Sequence, residues 1–227
     1  MRRELTFFLG TDHLGRSVFN RLISGGRYSL MIAAACVSLS LVVGAFLGVT
    51  SGYAEGWTDL VIMRLTDAFL AFPGTLLAII LAVLMGGTLP TLVLALSATL
   101  WCDYCRLARN MTRFLKSAPH LTAGKILGFN APFLIRQYIL PGLLPQLLTL
   151  ASLSMGRTIL NISGLGFLGI GLRPPLPEWG SMISQGMAYL SEAPWLVAAP
   201  GAMIFLTVLS FQFLSSIHHH TDEMTIE

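Results

Sequence analysis

Cys102 and Cys105 have the C-x-x-C spacing found in thiol oxidoreductases and in some zinc sites. A reactive thiolate is usually stabilised at the start of a helix, where unpaired N–H groups create a partial positive charge. These two cysteines instead fall near the C-terminal end of an apolar segment, where the helix dipole disfavours a thiolate. The three cysteines of the chain also do not form the framework of a disulfide-rich secreted domain. We therefore predict no redox or zinc chemistry at this pair.

Two other groups of residues could bind a metal. Asp12 and His13 lie between Gly10 and Gly15, and the flanking glycines favour a turn in which Asp12 caps the helix that follows. The run of histidines at positions 218–220 could hold a transition metal, but we favour a flexible tail. The sequence therefore predicts no metal site.

Nucleotide chemistry is also not encoded in a recognisable motif. The phosphate-binding pattern G-x-x-x-x-G-K-[ST] does not occur. Gly124-Lys125 is the nearest approach, but Pro119 and Ile126 occupy the positions of the first glycine and the hydroxyl residue. No nucleophile stands in an obvious arrangement with a base. We predict that the chain is not an enzyme and binds no cofactor, so any ATP hydrolysis belongs to another chain.

The composition points to a membrane protein. The 227 residues are 54% hydrophobic and only 11% charged, whereas soluble domains contain about 25% charged residues. Without the alternation typical of a barrel, spans must be helices that satisfy their own backbone hydrogen bonds. We predict an all-α, polytopic helix bundle. Five apolar segments approach or exceed the roughly 20 residues that cross a bilayer core, and they lie at 28–50, 66–85, 88–104, 139–159 and 195–214.

A basic segment at 106–141 interrupts the apolar pattern. It contains six basic residues and no acidic one, so the positive-inside rule places it in the cytoplasm. Pro119 and Pro132 bracket a short helix within it. The same count of spans puts residues 1–27 outside, in conflict with their arginines, so we expect either an external, interfacial segment or a further span before residue 1. We assign 28–214 to the transmembrane domain and 215–227 to a cytoplasmic tail.

Several motifs together resemble one protein family. The chain reads L-G-T-D-H-L-G-R at 9–16, F-P at 72–73, W-x-x-Y-C-R-x-x-R at 101–109, and E-W-G at 178–180. In order and spacing these motifs resemble the permease subunits of bacterial ABC importers for dipeptides, oligopeptides and nickel. The resemblance covers residues 9 to about 213 and implies an inner-membrane protein, typically with six spans. It further implies three kinds of partner: a second permease subunit, separate subunits that bind ATP, and an external solute-binding protein.

The resemblance gives the basic segment a meaning. Such permeases carry an E-A-A-x-x-x-G signature followed by I-L-P, which is similar to residues 122–128 and 139–141 here. It implies a short cytoplasmic coupling helix, at about 119–129, that docks on the ATPase. Small residues would let partner surfaces approach closely, and a glycine at the end suits a helix C-terminus. Thr122 and Gly124 replace the usual glutamate and alanine. The predicted coupling residues are Thr122, Ala123, Gly124, Gly128, Ile139, Leu140 and Pro141.

Arg157 and Asn161 fall within or near the predicted span at 139–159. A charge inside a membrane is costly and usually faces a partner helix or an aqueous path, while nearby glycines suit close helix contact. We predict that these two residues line the pathway or a helix interface. Peptide importers often have an acidic residue near 161–162, which is absent here. The solute therefore stays open among a peptide, nickel and a metal chelate.

Two alternative functions differ from an ATP-driven importer. A secondary transporter would act without an ATPase, and a membrane thiol-redox protein would need Cys102 and Cys105 at an aqueous face. The basic residues lie beside predicted spans, where orientation and contact with membrane lipid explain them better than nucleic acid does. We favour the permease subunit, located in the bacterial inner membrane.

Overall fold

The computed structural model describes residues 9–86, 88–172 and 175–224, with the side chains of 217–224 outside this description. Within these ranges the chain consists of helices and short connections, which confirms the predicted all-α class. A π-helical turn, Ile135–Ile139, and a 3₁₀ turn, Met187–Tyr189, join neighbouring helices. The helices are α1 Val18–Ala54, α2 Gly56–Leu70, α3 Gly74–Leu84, α4 Leu89–Lys116, α5 Pro119–Ile126, α6 Ala131–Leu134, α7 Leu140–Phe167, α8 Trp179–Gly186 and α9 Trp195–Met224.

The first helix begins earlier than the predicted span at 28–50. Ser17 caps α1, and its hydroxyl accepts the backbone N–H three residues later. Asp12, which was predicted to be the cap, instead accepts the backbone N–H groups of Leu14 and Arg16 at 2.9 Å each and pairs with Arg21 at 2.7 Å. Because a serine stands closer to the helix start, the carboxylate is free to order the preceding turn. The helix is unbroken at residue 27, where the predicted domain boundary lies.

α1 and α4 pack against each other along most of their length through glycines. Gly44, Gly48 and Gly52 recur every fourth residue on α1, so they share one face. A Cβ atom on Gly44 would lie 2.5 Å from the carbonyl oxygen of Trp101, and one on Gly48 would collide with the backbone at Cys105. Only glycine allows the two backbones to approach this closely, as at helix pairs in membranes.

The predicted span at 66–85 is not a single straight helix. α2 and α3 meet at an angle of 84°. The break falls at Ala71–Pro73, where Pro73 has no N–H to continue the hydrogen bonding of α2 and precedes the first turn of α3. The sequence prediction of one continuous span was therefore wrong here, and the proline that belongs to the F-P motif is the physical reason.

Length and composition select fewer spans than the five that we predicted. Three described helical segments qualify, Val18–Ala54, Ala131–Phe167 and Trp195–Ser216, and a fourth is added if the bent pair α2–α3 counts as one. α4 does not qualify because Asp103 and Arg106 interrupt its apolar sequence. It buries a long face against α1 and extends well beyond the predicted 88–104.

The connection before α8 packs tightly on α1 and α7. Trp179 is buried, and its ring N–H donates to the carbonyl of Leu22 at 3.0 Å. Glu178 caps α8 by accepting the N–H groups of Gly180 and Ser181 at 2.8 and 2.9 Å. Burial raises the pKa of the Glu178 carboxyl, although these hydrogen bonds oppose the shift. The E-W-G motif thus joins α8 to the rest of the bundle.

α9 continues past the predicted end of the last span. It runs without interruption from Trp195 to Met224, so residues 215–224 are helical rather than a flexible tail. The histidines at 218–220 belong to this helix, but their side chains lie outside the described residues. The prediction that they hold no metal therefore stays a prediction.

Candidate functional site

The predicted coupling helix corresponds to α5, which is shorter than expected and ends at Ile126. One face is buried: Leu121 has no exposed surface, and a Cβ atom on Gly124 would lie 2.9 Å from a methyl carbon of Leu134. Thr122 and Ala123 lie on the opposite, exposed face. The predicted signature residues are therefore divided between two faces, and Gly124 serves packing within the chain rather than an outer surface.

Gly128 lets the chain reverse direction after α5. Its φ angle of +87° lies in the left-handed region that favours glycine. The N–H of Gly128 donates to the carbonyl of Lys125 at 3.0 Å, and the N–H of Phe129 donates to that of Gly124 at 3.1 Å. These two bonds define a Schellman motif, which satisfies carbonyls that the helix end leaves unpaired. Gly128 therefore fixes where the next segment points.

An apolar surface follows this turn. Ile126 is 82% exposed and Leu127 is 74% exposed. Phe129 and Phe133 are each about 45% exposed, and their tilted rings lie in contact at a centroid distance of 4.9 Å. We call these four residues the apolar tip. An exposed cluster of large apolar side chains marks an interaction surface. The tip lies within the segment that the basic residues predict to be cytoplasmic, where lipid would not cover it.

The remaining predicted coupling residues lie where the π-helical turn leads into α7, next to the apolar tip. Ile139 is fully buried and packs with Leu121 and Leu134. Leu140 is 42% exposed, and Pro141 lies in the first turn of α7, directly after the π-helical turn. The segment from α5 to the start of α7 is thus one packed hairpin.

Tyr53 of α1 connects this hairpin to the bundle. Its ring packs on the same buried cluster, and the ammonium of Lys125 lies 5.8 Å from the ring centroid. Lys116 donates to the carbonyl of Tyr53 and to the carboxylate of Glu55, at 2.8 Å each. The hydrogen bond from Lys116 lowers the pKa of Glu55. A displacement of α5 would therefore also displace the C-terminal ends of α1 and α4.

Four ion pairs continue along the same edge. Three acidic residues, which begin at the α1–α2 corner and continue along α2, face basic residues of α4 in antiparallel order. The sequence prediction placed the basic residues in a cytoplasmic insert and did not identify their acidic partners. The acidic residues and the basic residues each recur at helical spacing, and this spacing is the signal that could have revealed the pairs. The pairs are Glu55–Lys116 at 2.8 Å, Asp59–Arg109, Asp59–Arg113 at 2.6 Å and Asp67–Arg106 at 2.7 Å.

The predicted pathway residues lie far from this edge, on α7. Arg157 and Asn161 are exposed and one turn apart. A cavity of about 220 Å³ between α3, α4 and α7 is lined by Asn161, Gly164 and Thr75 together with apolar side chains. The structure does not bring these residues near α5, so any effect of one site on the other must travel through the helices.

Cys102 and Cys105 are fully buried in α4 and are not joined by a disulfide. Cys105 packs beside Thr66 of α2, with its sulfur 4.0 Å from the hydroxyl. A thiol-redox reaction requires access to a thiolate, and these positions do not provide it. The pair serves helix packing in the described structure.

Comparison with known proteins gives concordant matches. The family model described as "Binding-protein-dependent transport system inner membrane component" matches residues 40–220. The glutathione transport system permease protein GsiD of Pectobacterium atrosepticum is 37% identical over 207 residues, which is 91% of this chain and 69% of that protein. The di/tripeptide transport system permease protein DppC of Pseudomonas aeruginosa is also 37% identical, over 93% of this chain and 70% of that protein.

Two solved structures share the fold. The inward-facing MetNI methionine ABC transporter aligns with a TM-score of 0.70 at 17% identity, over 88% of this chain and 95% of that chain. An amino acid ABC transporter crystallised with histidines aligns with a TM-score of 0.67 at 14% identity, over 89% and 94%. At these identities the likeness concerns the arrangement of helices.

Proposed function

The chain belongs to the family of binding-protein-dependent transport system inner membrane components, and on this premise we propose that it conducts peptides while a separate ATPase docks on the apolar tip. It is a multi-pass permease subunit of an ABC importer in the bacterial inner membrane. The docking surface and the identity of the solute are the proposed elements of this function.

The apolar tip is the observation that carries the docking role. Ile126 and Leu127 extend from the end of α5 with most of their surface exposed. A short helix that presents apolar side chains fits a groove on a partner, and hydrophobic burial is the dominant favourable term in most protein associations. Thr122 lacks the carboxylate of the family signature, so we assign the affinity to the tip rather than to an acidic contact.

Movement of the ATPase would reach the spans through the hairpin. Leu121, Leu134 and Ile139 are fully buried together, so α5 and the start of α7 move as one unit. Tyr53 and Lys116 connect that unit to α1 and α4. Closely packed elements switch between discrete arrangements rather than deform continuously. The hairpin would thereby convert the ATP-driven motion of the ATPase into a change in which side of the membrane the transport pathway opens to.

The solute is assigned from the relatives. GsiD is named for glutathione and DppC for di- and tripeptides. We propose a small peptide and set nickel aside, since neither of these relatives is named for nickel. An external solute-binding protein, in keeping with the description of the family, completes the proposed assembly together with a second permease subunit.

Co-purification tests the docking role. The complete set of subunits is expressed with a tag on this chain, and recovery of the ATPase is measured together with ATP-driven peptide uptake in proteoliposomes. We expect the wild-type chain to retain the ATPase and the double variant Ile126→Glu/Leu127→Glu to lose it, because charges in an apolar groove are costly. Leu14→Glu is the matched control, since Leu14 is 62% exposed and lies before α1, outside the hairpin.

Two results would contradict the proposal. Equal ATPase recovery by the double variant and the wild type would remove the tip as the docking surface. Failure of the complete wild-type set to take up any peptide with ATP would remove the peptide assignment.

A further inference from the structure

Arg157 lies on a spanning helix, about three turns before its C-terminal end. The segment Ala131–Phe167 is long and apolar enough to cross a membrane. Ten residues separate Arg157 from Phe167 at the end of α7, a rise of about 15 Å at 1.5 Å per residue. A guanidinium on a spanning segment is expensive unless it faces a partner, a lipid headgroup or a water-filled space.

No partner for this charge is found among the side chains that the structure describes. Arg157 is exposed, and among residues 9–86, 88–172 and 175–216, whose side chains are described, no acidic group lies within ion-pair distance of it. The basic residues at the cytoplasmic end of α4 differ in this respect, since each of them pairs with a carboxylate. The positive charge of Arg157 is therefore available to a group from outside the chain.

The surroundings of Arg157 favour a small anion. Asn161 and Gly164 follow at i+4 and i+7, on the same exposed face of α7. The opposite face, with Ile159 and Ile162, is buried in the bundle. The cavity beside Asn161 contains no acidic side chain, and a Cβ atom on Gly164 would meet nothing within 4 Å. The face thus offers a cation, an amide donor and open space.

We propose that Arg157 and Asn161 form a subsite that binds the carboxylate of a peptide during its passage. A guanidinium binds a carboxylate through two parallel charge-assisted hydrogen bonds, and the amide of Asn161 supplies a further donor. The apolar cavity next to Gly164 accommodates the adjoining side chain of the peptide. This subsite rests on the proposed peptide transport and adds the ionic group that the path recognises.

Two other partners compete for Arg157. Arginines near the ends of spans reach phospholipid phosphates by snorkelling, and an acidic residue of the second permease subunit is the other competing partner. Neither of them involves the carboxylate of the peptide, so both predict that uptake does not depend on that carboxylate.

Uptake of a dipeptide and of its C-terminal amide distinguishes these partners. The complete importer is reconstituted in proteoliposomes, and the external binding protein is saturated in advance with either radiolabelled peptide. We expect the wild type to favour the free carboxylate. Arg157→Gln should slow uptake of the carboxylate form by about tenfold, as expected when a hydrogen bond to a charged group is lost, and should leave the amide form unchanged. Arg157→Lys should retain part of the preference.

Arg27→Gln is the matched control, because Arg27 is also an exposed arginine on a spanning helix and lies on α1. It should leave uptake of both peptides at the wild-type rate. Should Arg157→Gln fail to assemble, Asn161→Asp provides the second test. A carboxylate one turn from Arg157 should occupy the guanidinium and selectively slow the carboxylate form.

The results that overturn the subsite are distinct. Equal slowing of both peptides, accompanied by loss of the second permease from the purified complex, would assign Arg157 to the interface between permeases. An unchanged preference in an assembled Arg157→Gln or Asn161→Asp variant would remove the subsite while leaving peptide transport intact. Absence of wild-type uptake of either peptide would refute the peptide assignment and, with it, the subsite.

Discussion

Arg109 of α4 binds Asp59 of α2 through both nitrogen–oxygen contacts of a bidentate ion pair, with Nη2 2.7 Å from Oδ2. The two side chains are only 20% and 12% exposed. Ser51 of α1 donates its hydroxyl to the same carboxylate at 2.5 Å. One carboxylate therefore joins three helices next to the hairpin that carries the apolar tip, which makes Asp59 a structural centre of this end of the molecule.

Replacement of Asp59 should destabilise this junction. Asp59→Asn keeps the shape of the side chain but removes the charge that Arg109 and Arg113 share, at an expected cost of about 1.5–3 kcal/mol. Thermal unfolding of the purified complex in detergent measures the effect. Asp103→Asn is the control, since Asp103 is exposed on the same region of α4, and it should shift the unfolding temperature little. Equal shifts for the two variants would mean that the ion pairs contribute no stability.

The contact between α1 and α4 predicts a strong effect of one methyl group. Gly48→Ala should destabilise the protein by about 1–3 kcal/mol, the usual cost of overpacking, because the new Cβ atom would lie 2.6 Å from that of Ala108. Gly201→Ala in α9 has open space around it and should be neutral or slightly stabilising. Denaturant titration of both variants provides the comparison. A stable Gly48→Ala variant would show that the helices can separate without cost.

The turn after α5 predicts a defect in coupling. Gly128→Val should strain a left-handed position by about 1–2 kcal/mol and redirect the apolar tip, so ATP hydrolysis would continue with less transport. Gly128→Asn is the matched control, since asparagine tolerates this conformation. The ratio of peptide taken up to ATP hydrolysed should fall for valine and persist for asparagine. An unchanged ratio for both variants would separate the turn from coupling.

Glu178 predicts a pH dependence of stability. Burial raises its folded-state pKa above the ordinary value of 4.5. The folded state therefore favours the protonated, neutral carboxyl of Glu178. The stabilisation of the folded state by this carboxyl is complete below the unfolded-state pKa and is lost as the pH rises through the folded-state pKa. The unfolding temperature of the wild type relative to Glu178→Gln should fall as pH rises above 4.5. Measurement of both proteins across a pH series tests this, and a constant difference would exclude titration of Glu178 on folding.

Local signals in the sequence predicted much of this structure. Apolar segments indicated the helical class, Pro119 marked the start of α5, and the glycine signature indicated a chain reversal at Gly128. These features depend on residues close in sequence, since proline restricts its own backbone and glycine alone tolerates a positive φ at little cost. The order of the motifs was also sufficient to identify the family.

Features that depend on distant residues could not be predicted in the same way. Pro73 marks the break between α2 and α3, but the angle of 84° between the two helices belongs to their arrangement in space. The inward orientation of Gly124 depends on Leu134, which lies beyond the turn. The partners of Arg106 and Arg109 come from a helix about 40–50 residues earlier. The helical spacing of the charges indicates that such pairs can form, but it does not specify which residues meet.

The sequence by itself determined the class of the protein, the family and the position of the short helix α5, because hydrophobicity, backbone restriction and motif order are properties of the chain. Only the tertiary structure decided which face of α5 is presented, which carboxylate each basic residue of α4 meets, and that Arg157 meets none among the described side chains. The physical reason is that charge pairing and close packing depend on distance in space, and folding brings together groups that the sequence keeps far apart.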